Sequence, residues 1–201
     1  MKPTGLMTNI APDNGGIARD PQTLANHSFF TGSQKEMLKQ CLRVSAYLRQ
    51  VDDVLLAEIS VAADEVGHCV PTGFVDRHLL LVAQGIDDDG KPVSATSGPL
   101  LPLAAGKRLA GHSGRLYAKL LKDFDGNSPV PFWRADPEVT DSRLKPGDRD
   151  VVIITFPPAA RKIRIRLIYR RFWQDQAEIK NWPDNEILVF DQVIAAPTEA
   201  R

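Results

Sequence analysis

Apolar and polar residues along this chain fall into three successive patterns. Residues 1–32 show no repeating apolar positions and are rich in Gly, Pro, Asn, Asp and Thr, a composition that favours turns and cannot bury a core by itself. An extended arm is expected there. In SQKEMLKQCLRVSAYLRQ, residues 33–50, Met37, Cys41, Val44 and Leu48 recur at helical spacing, with Leu38 and Ser45 beside them. Ser33 stands three residues before Glu36, the arrangement of a capping box in which each side chain satisfies an orphan backbone amide. One amphipathic helix over 33–50 is the expectation.

From Val54 the period falls to two. VLLAEISVAA, HLLLVAQGI, VVIITF, IRIRLIYRRF and EILVFDQVI are short runs rich in Val, Ile, Leu and aromatics, bounded by Gly, Pro, Asp and Asn. Along IRIRLIYR, Ile163, Ile165, Leu167 and Tyr169 share one face, and Arg164, Arg166 and Arg170 lie on the other. DDDGKP after Ile86 is a hairpin signal, and LKPGDRD marks a turn before Val151. Strands without intervening helical patterns predict an antiparallel β-sandwich of immunoglobulin or fibronectin type over residues 51–196. A disordered tail, 197–201, is expected to follow. The stretch from Gly98 to about Asp150 is less regular, with RLYAKLLKDF fitting either a strand or a short helix.

Composition narrows the function classes. Twenty-five basic and twenty-five acidic residues among 201 give zero formal charge, so no global field favours nucleic acid or a membrane surface. The basic run RKIRIRLIYRR, with Tyr169, Phe172 and Trp173 nearby, reads as a solvated strand face or an interdomain contact rather than a nucleic-acid groove. No run approaches the roughly 20 apolar residues of a membrane span. Cys41 and Cys69 are the only cysteines, too few for a disulfide framework and not in C-x-x-C spacing; they read as two free buried thiols or, in an oxidising compartment, as one bridge.

Sites of chemistry are sparse. GHSGR at 111–115 has Arg115 where a nucleophile elbow needs its second glycine. Three consecutive aspartates, 87–89, lack the alternating spacing of a calcium loop. No two of His27, His68, His78 and His112 stand at the spacing of a helical zinc site, although His68 and His78 flank one turn. No catalytic residue or metal ligand set is expected. In GHCVPTG, Gly67, Pro71 and Gly73 are expected to fix a tight turn with Thr72, His68 to bond backbone groups within it, and Asp76 and Arg77 to pair locally.

That same stretch carries a resemblance. GHCVPTGFVDRHLLLVAQGIDDDGKPV is similar to a G-H-x-x-P-T-G segment, followed by Arg, an apolar strand and a D-x-x-G turn, in the C-terminal β-sandwich region of bacterial multihaem c-type cytochromes. LANHSFFTGSQKEML resembles that region's His-x-Phe before a helix, SRLKPGDRD its R-L-x-P-G-(E/D) turn, and IRLIYRRF its L-x-Y-R-(R/K)-F strand. The match spans roughly residues 20–195. It departs from the family in having no C-x-x-C-H, so the chain cannot hold a c-type haem covalently.

The resemblance implies a non-catalytic electron-transfer domain that packs against haem c held by another segment or subunit. By the same resemblance the chain is a fragment of a split or truncated cytochrome, located in the periplasm. No signal peptide is visible, so a true start at Met1 implies the cytoplasm. His27 becomes the candidate distal axial ligand of a partner's haem, with Phe29 and Phe30 as candidate packing groups on the porphyrin. Arg77 becomes a candidate partner of a haem propionate. The alternative is a stand-alone sandwich module for a protein or carbohydrate ligand, supported by the loop aromatics Phe132, Trp133, Trp173 and Trp182.

Overall fold

The computed structural model describes residues 8–9, 12–24 and 34–197. The chain divides into two compact units, Met1–Gln34 and Lys35–Arg201. In the first, strands β1 (Thr8–Asn9) and β2 (Ala18–Arg19) pair antiparallel across the 3-10 turn Pro12–Asn14. This part of the expected extended arm therefore folds back on itself. Ser33, and with it the expected capping box, lies outside the described residues, as does the tail apart from Pro197.

The second unit is mainly β. Helix α1 (Gln34–Cys41) is followed by strands β3 (Leu42–Val51), β4 (Val54–Ala63), β5 (His78–Ile86), β6 (Pro92–Val93), β7 (Gly114–Tyr117), β8 (Lys119–Leu121), β9 (Val139–Asp141), β10 (Arg149–Phe156) and β11 (Lys162–Arg170). Helix α2 (Gln174–Ile179) and strand β12 (Glu186–Ala195) complete it. A three-stranded sheet of order β10-β4-β3 faces a sheet of order β12-β11-β5-β6, with β7 also on β5. In immunoglobulin-type lettering this is E-B-A packed on G-F-C, with β6 and β7 beyond C. Every strand pair is antiparallel, so the expected sandwich class holds.

The helix expected over 33–50 is corrected. It ends at Cys41, and residues 42–51 pair along their whole length with β4, from Leu42 opposite Ala63 to Val51 opposite Val54. Val44 and Leu48 stand four apart, a spacing that places two residues on one face of a strand as well as of a helix. Ala46 completes the inward row, while Arg43, Ser45, Tyr47 and Arg49 point outward. A two-residue turn, with Asp52 at φ 50°, closes the hairpin. In α1 the side chain in the core is Leu38, and Met37 is exposed.

The main core lies between the sheets, where Leu55, Ile59 and Ile154 meet Leu79, Leu81, Ile163 and Ile165. A second apolar cluster covers the other face of the larger sheet: Leu80, Val82 and Ile168 pack under Leu101, Leu109 and Trp173. With apolar cover on both faces, β5 reads as an unbroken apolar run instead of an alternating one. The stretch between β6 and β10 supplies part of this cover.

The basic face of β11 is also corrected. Arg170 is fully buried: its Nε and Nη2 donate to Glu186 Oε1 at 2.9 and 2.7 Å, and Nη1 donates to the Ala105 carbonyl at 2.6 Å. Arg164 makes a bidentate pair with Asp191 at 2.8 and 2.6 Å. These two guanidiniums are neutralised within the fold. Among the described residues no helix is long and apolar enough to cross a membrane.

Candidate functional site

The β4–β5 connection, residues 64–77, carries the GHCVPTG sequence and is pinned to the sandwich at its centre. Val70 and Leu144 exchange both backbone hydrogen bonds, at 2.8 and 3.0 Å, and both side chains are buried. Beyond Val70 the chain turns at Gly73, whose φ of 88° lies in the left-handed region that favours glycine. A Cβ at Gly73 would stand 2.5 Å from Arg77 Nη1. The turn thus seats the Arg77 guanidinium, and Nη1 donates to the Thr72 carbonyl at 3.1 Å.

Other residues of this stretch divide between turn and core. Gly67 has open space where a Cβ would be, so the tight turn is set by Gly73. Exposed His68 has Nδ1 3.2 Å from the Cys69 carbonyl, a local backbone contact. The expected Asp76–Arg77 pair is absent: the Asp76 carboxylate accepts from the Trp173 indole, and burial holds its pKa above the usual value. Cys41 and Cys69 are both free and half-buried. The Cys41 thiol donates to the Leu38 carbonyl at 3.4 Å, and burial pushes its pKa up.

His78 does not converge with His68. Fully buried, it stacks on Trp173 with ring centroids 4.2 Å apart and planes at 15°. Its Nδ1 lies 2.7 Å from the Asp76 carbonyl, so Nδ1 carries the proton, and Nε2 has no partner. Desolvation lowers its pKa to about 4, with the Arg170 charge adding to the effect. Among the described residues no group of three His, Cys, Asp or Glu side chains could hold a metal ion. GHSGR is no elbow either: Gly114 lets β7 approach β5, since a Cβ there would collide with the Leu81 carbonyl.

A cleft of about 390 Å³ opens beside the P-T-G turn, with Pro71, Phe74, Leu121, Phe132 and Val139 among its walls. Arg77, Lys119, Arg143 and Asp136 are its charged residues. Arg143 is occupied by Asp141, through Nε at 2.9 Å and Nη2 at 2.6 Å, and this pairing holds the Asp141 carboxyl below its usual pKa. Neither Arg77 nor Lys119 has a carboxylate within ion-pair distance among the described residues.

From the cleft an aromatic row runs across this end of the sandwich. Phe74 meets Phe132 at 6.4 Å and Phe172 at 6.1 Å; Phe132 meets Trp133 at 5.0 Å, and Phe172 meets Trp182 at 4.4 Å. Phe74, Phe132, Trp133 and Trp182 are all exposed, Trp133 by 69%. The contributing segments are the β4–β5 and β11–β12 connections and the loop between β8 and β9, at the end where immunoglobulin-type domains cluster binding loops. Of the loop aromatics expected from sequence, Phe132, Trp133 and Trp182 are in this row, while Trp173 is in the core. Phe74, Lys119 and Arg143 escaped the sequence reading, because only the fold brings them together. His27, Phe29 and Phe30 lie outside the described residues.

Replacing Gly73 by alanine tests how the turn positions Arg77. We expect a loss of about 1 kcal/mol from the positive φ alone, together with displacement of the guanidinium, read as a changed Arg77 Nε chemical shift. An unchanged shift and unchanged stability would contradict the seating.

No protein-family model and no curated protein sequence matches this chain. Among solved structures it is similar to a penta-haem cytochrome c552 from Thermochromatium tepidum, with 20% identity and a TM-score of 0.66. The similarity covers 90% of this chain but 44% of that one, so the chain spans less than half the length of the cytochrome. At this identity the likeness concerns the fold alone.

Proposed function

We propose that this chain is a non-catalytic β-sandwich domain of a multihaem c-type electron-transfer cytochrome. It acts outside the cytoplasm and packs against a haem-bearing segment or subunit. The observation that carries this reading is the fold likeness, in which nine-tenths of the chain corresponds to under half of a penta-haem cytochrome. The haem belongs to the partner: this chain has no C-x-x-C-H, and its two cysteines are separate free thiols. His27 is the proposed distal axial ligand in the intact assembly, with Phe29 and Phe30 against the porphyrin face. The exposed aromatic row is the surface we assign to the partner, since large apolar patches on a folded domain mark contact sites.

A stand-alone carbohydrate module also uses exposed aromatics. On the docking reading, titrating glycans while following tryptophan fluorescence is expected to give no response, and a saturable one would favour the carbohydrate reading. The coding sequence adjoining this chain is expected to carry C-x-x-C-H motifs. A neighbourhood without any would count against a cytochrome.

A further inference from the structure

The cleft beside the P-T-G turn has the composition of a ligand site, and we propose that it binds a carboxylate carried on a flat apolar body. Arg77 and Lys119 hold the carboxylate, while Phe74 and Phe132 pack on the body. Arg77 is held in place before any ligand arrives: Gly73 leaves it room, the Thr72 carbonyl takes one of its N–H groups, and its remaining donors have no carboxylate partner. A guanidinium fixed in this way loses little conformational freedom on meeting an anion.

Charge selects the ligand class. With Arg143 already neutralised by Asp141, Arg77 and Lys119 outweigh Asp136, so the lining is positive and repels cations. Asp136 on the same wall disfavours a multiply charged phosphate, which leaves a singly charged carboxylate as the better match. The rest of the lining is mainly proline, aliphatic and aromatic, and it rewards an apolar body. This site does not require the cytochrome reading, although a partner's haem propionate and a free aromatic acid both offer the required chemistry.

Calorimetric titration of the full chain tests the proposal and separates the sources. One probe is 1-naphthoate, with its uncharged amide as control. The other is a c-type haem peptide with free propionates, with its propionate esters as control. At least one acid is expected to bind, and both its uncharged control and the Arg77→Gln/Lys119→Gln variant are expected to weaken binding about tenfold or more.

Binding of naphthoate identifies a site for free acids, and binding of the haem peptide alone identifies a site for propionates. An unchanged unfolding midpoint shows that the variant is folded, and Phe132→Ala is expected to weaken either ligand separately. Equal binding of acid and control, undiminished binding by the folded double variant, or no binding of either acid would overturn the site. The docking reading is judged separately, by capture of a haem protein.

Discussion

Acidification from pH 7 to pH 4 lowers the unfolding free energy by about 3 kcal/mol through His78 alone. In the fold this imidazole titrates at about 4 because it is desolvated beneath Trp173 and lies near the Arg170 charge. In the unfolded chain it returns to the ordinary value near 6.5. The unfolded state therefore binds its proton first as the pH falls. The contribution is fully present above about pH 6.5, drains away towards pH 4 and is absent below it. His78→Phe keeps an aromatic ring against Trp173 and removes the titration. Denaturant unfolding across this range is expected to show a shallower pH dependence for the variant, and parallel curves for the two proteins would refute the assignment.

Glu186→Gln is expected to cost about 3 kcal/mol, the lower end of what breaking a buried ion pair costs. The substitution leaves Arg170 charged and fully buried with no countercharge, its acceptors reduced to two neutral oxygens, the Ala105 carbonyl and the new amide. Two features keep the loss from being larger. Glu186 is one-third exposed, and its other partner, Arg108 at 3.0 Å, is exposed and held to it only at the surface. Removing both charges, with Arg170→Met and Glu186→Leu together, is expected to recover much of the loss, because an apolar pair needs no desolvated charge. A cycle of Arg170→Met, Glu186→Leu and the two together, followed by chemical denaturation, measures the coupling. A single Glu186→Gln variant within about 0.5 kcal/mol of the parent would contradict the account.

What could be read from the sequence depended on how local the signal was. VLLAEISVAA and HLLLVAQGI coincide with β4 and β5 because a short apolar run between turn residues has one reading. DDDGK forms its hairpin through bonds inside the turn, with Lys91 N 2.7 Å from Asp87 Oδ1. Residues 42–51 misled because Val44 and Leu48 satisfy both periods, and pairing with β4 decided between them. The fate of Arg170 could not be read either: strand alternation places it opposite the core, and only the cover from Ala105 and Glu186 buries it.

The candidate site shows the same limit. Pro-Thr-Gly followed by Arg was visible as a turn with a cation, but its use became clear only when Lys119 and Phe132, far along the chain, were found lining the same cleft. His68 stands in the most distinctive motif yet is an exposed turn residue, whereas His78, ten residues on, is the buried one.

The proposed role is that of a shaped surface. The sandwich presents an aromatic row and a cationic cleft at one end, and on the proposed reading the chemistry of electron transfer belongs to a haem-bearing partner. Immobilising the chain, passing an extract of the native organism over it and identifying what is retained tests this most directly, with the haem read by its pyridine haemochrome spectrum and the polypeptide by sequencing. The account predicts a C-x-x-C-H polypeptide carrying covalent haem, held by the parent chain and lost when Phe132 and Trp133 are both replaced by alanine. Retention of no haem-bearing polypeptide, or equal retention by the folded double variant, would contradict it.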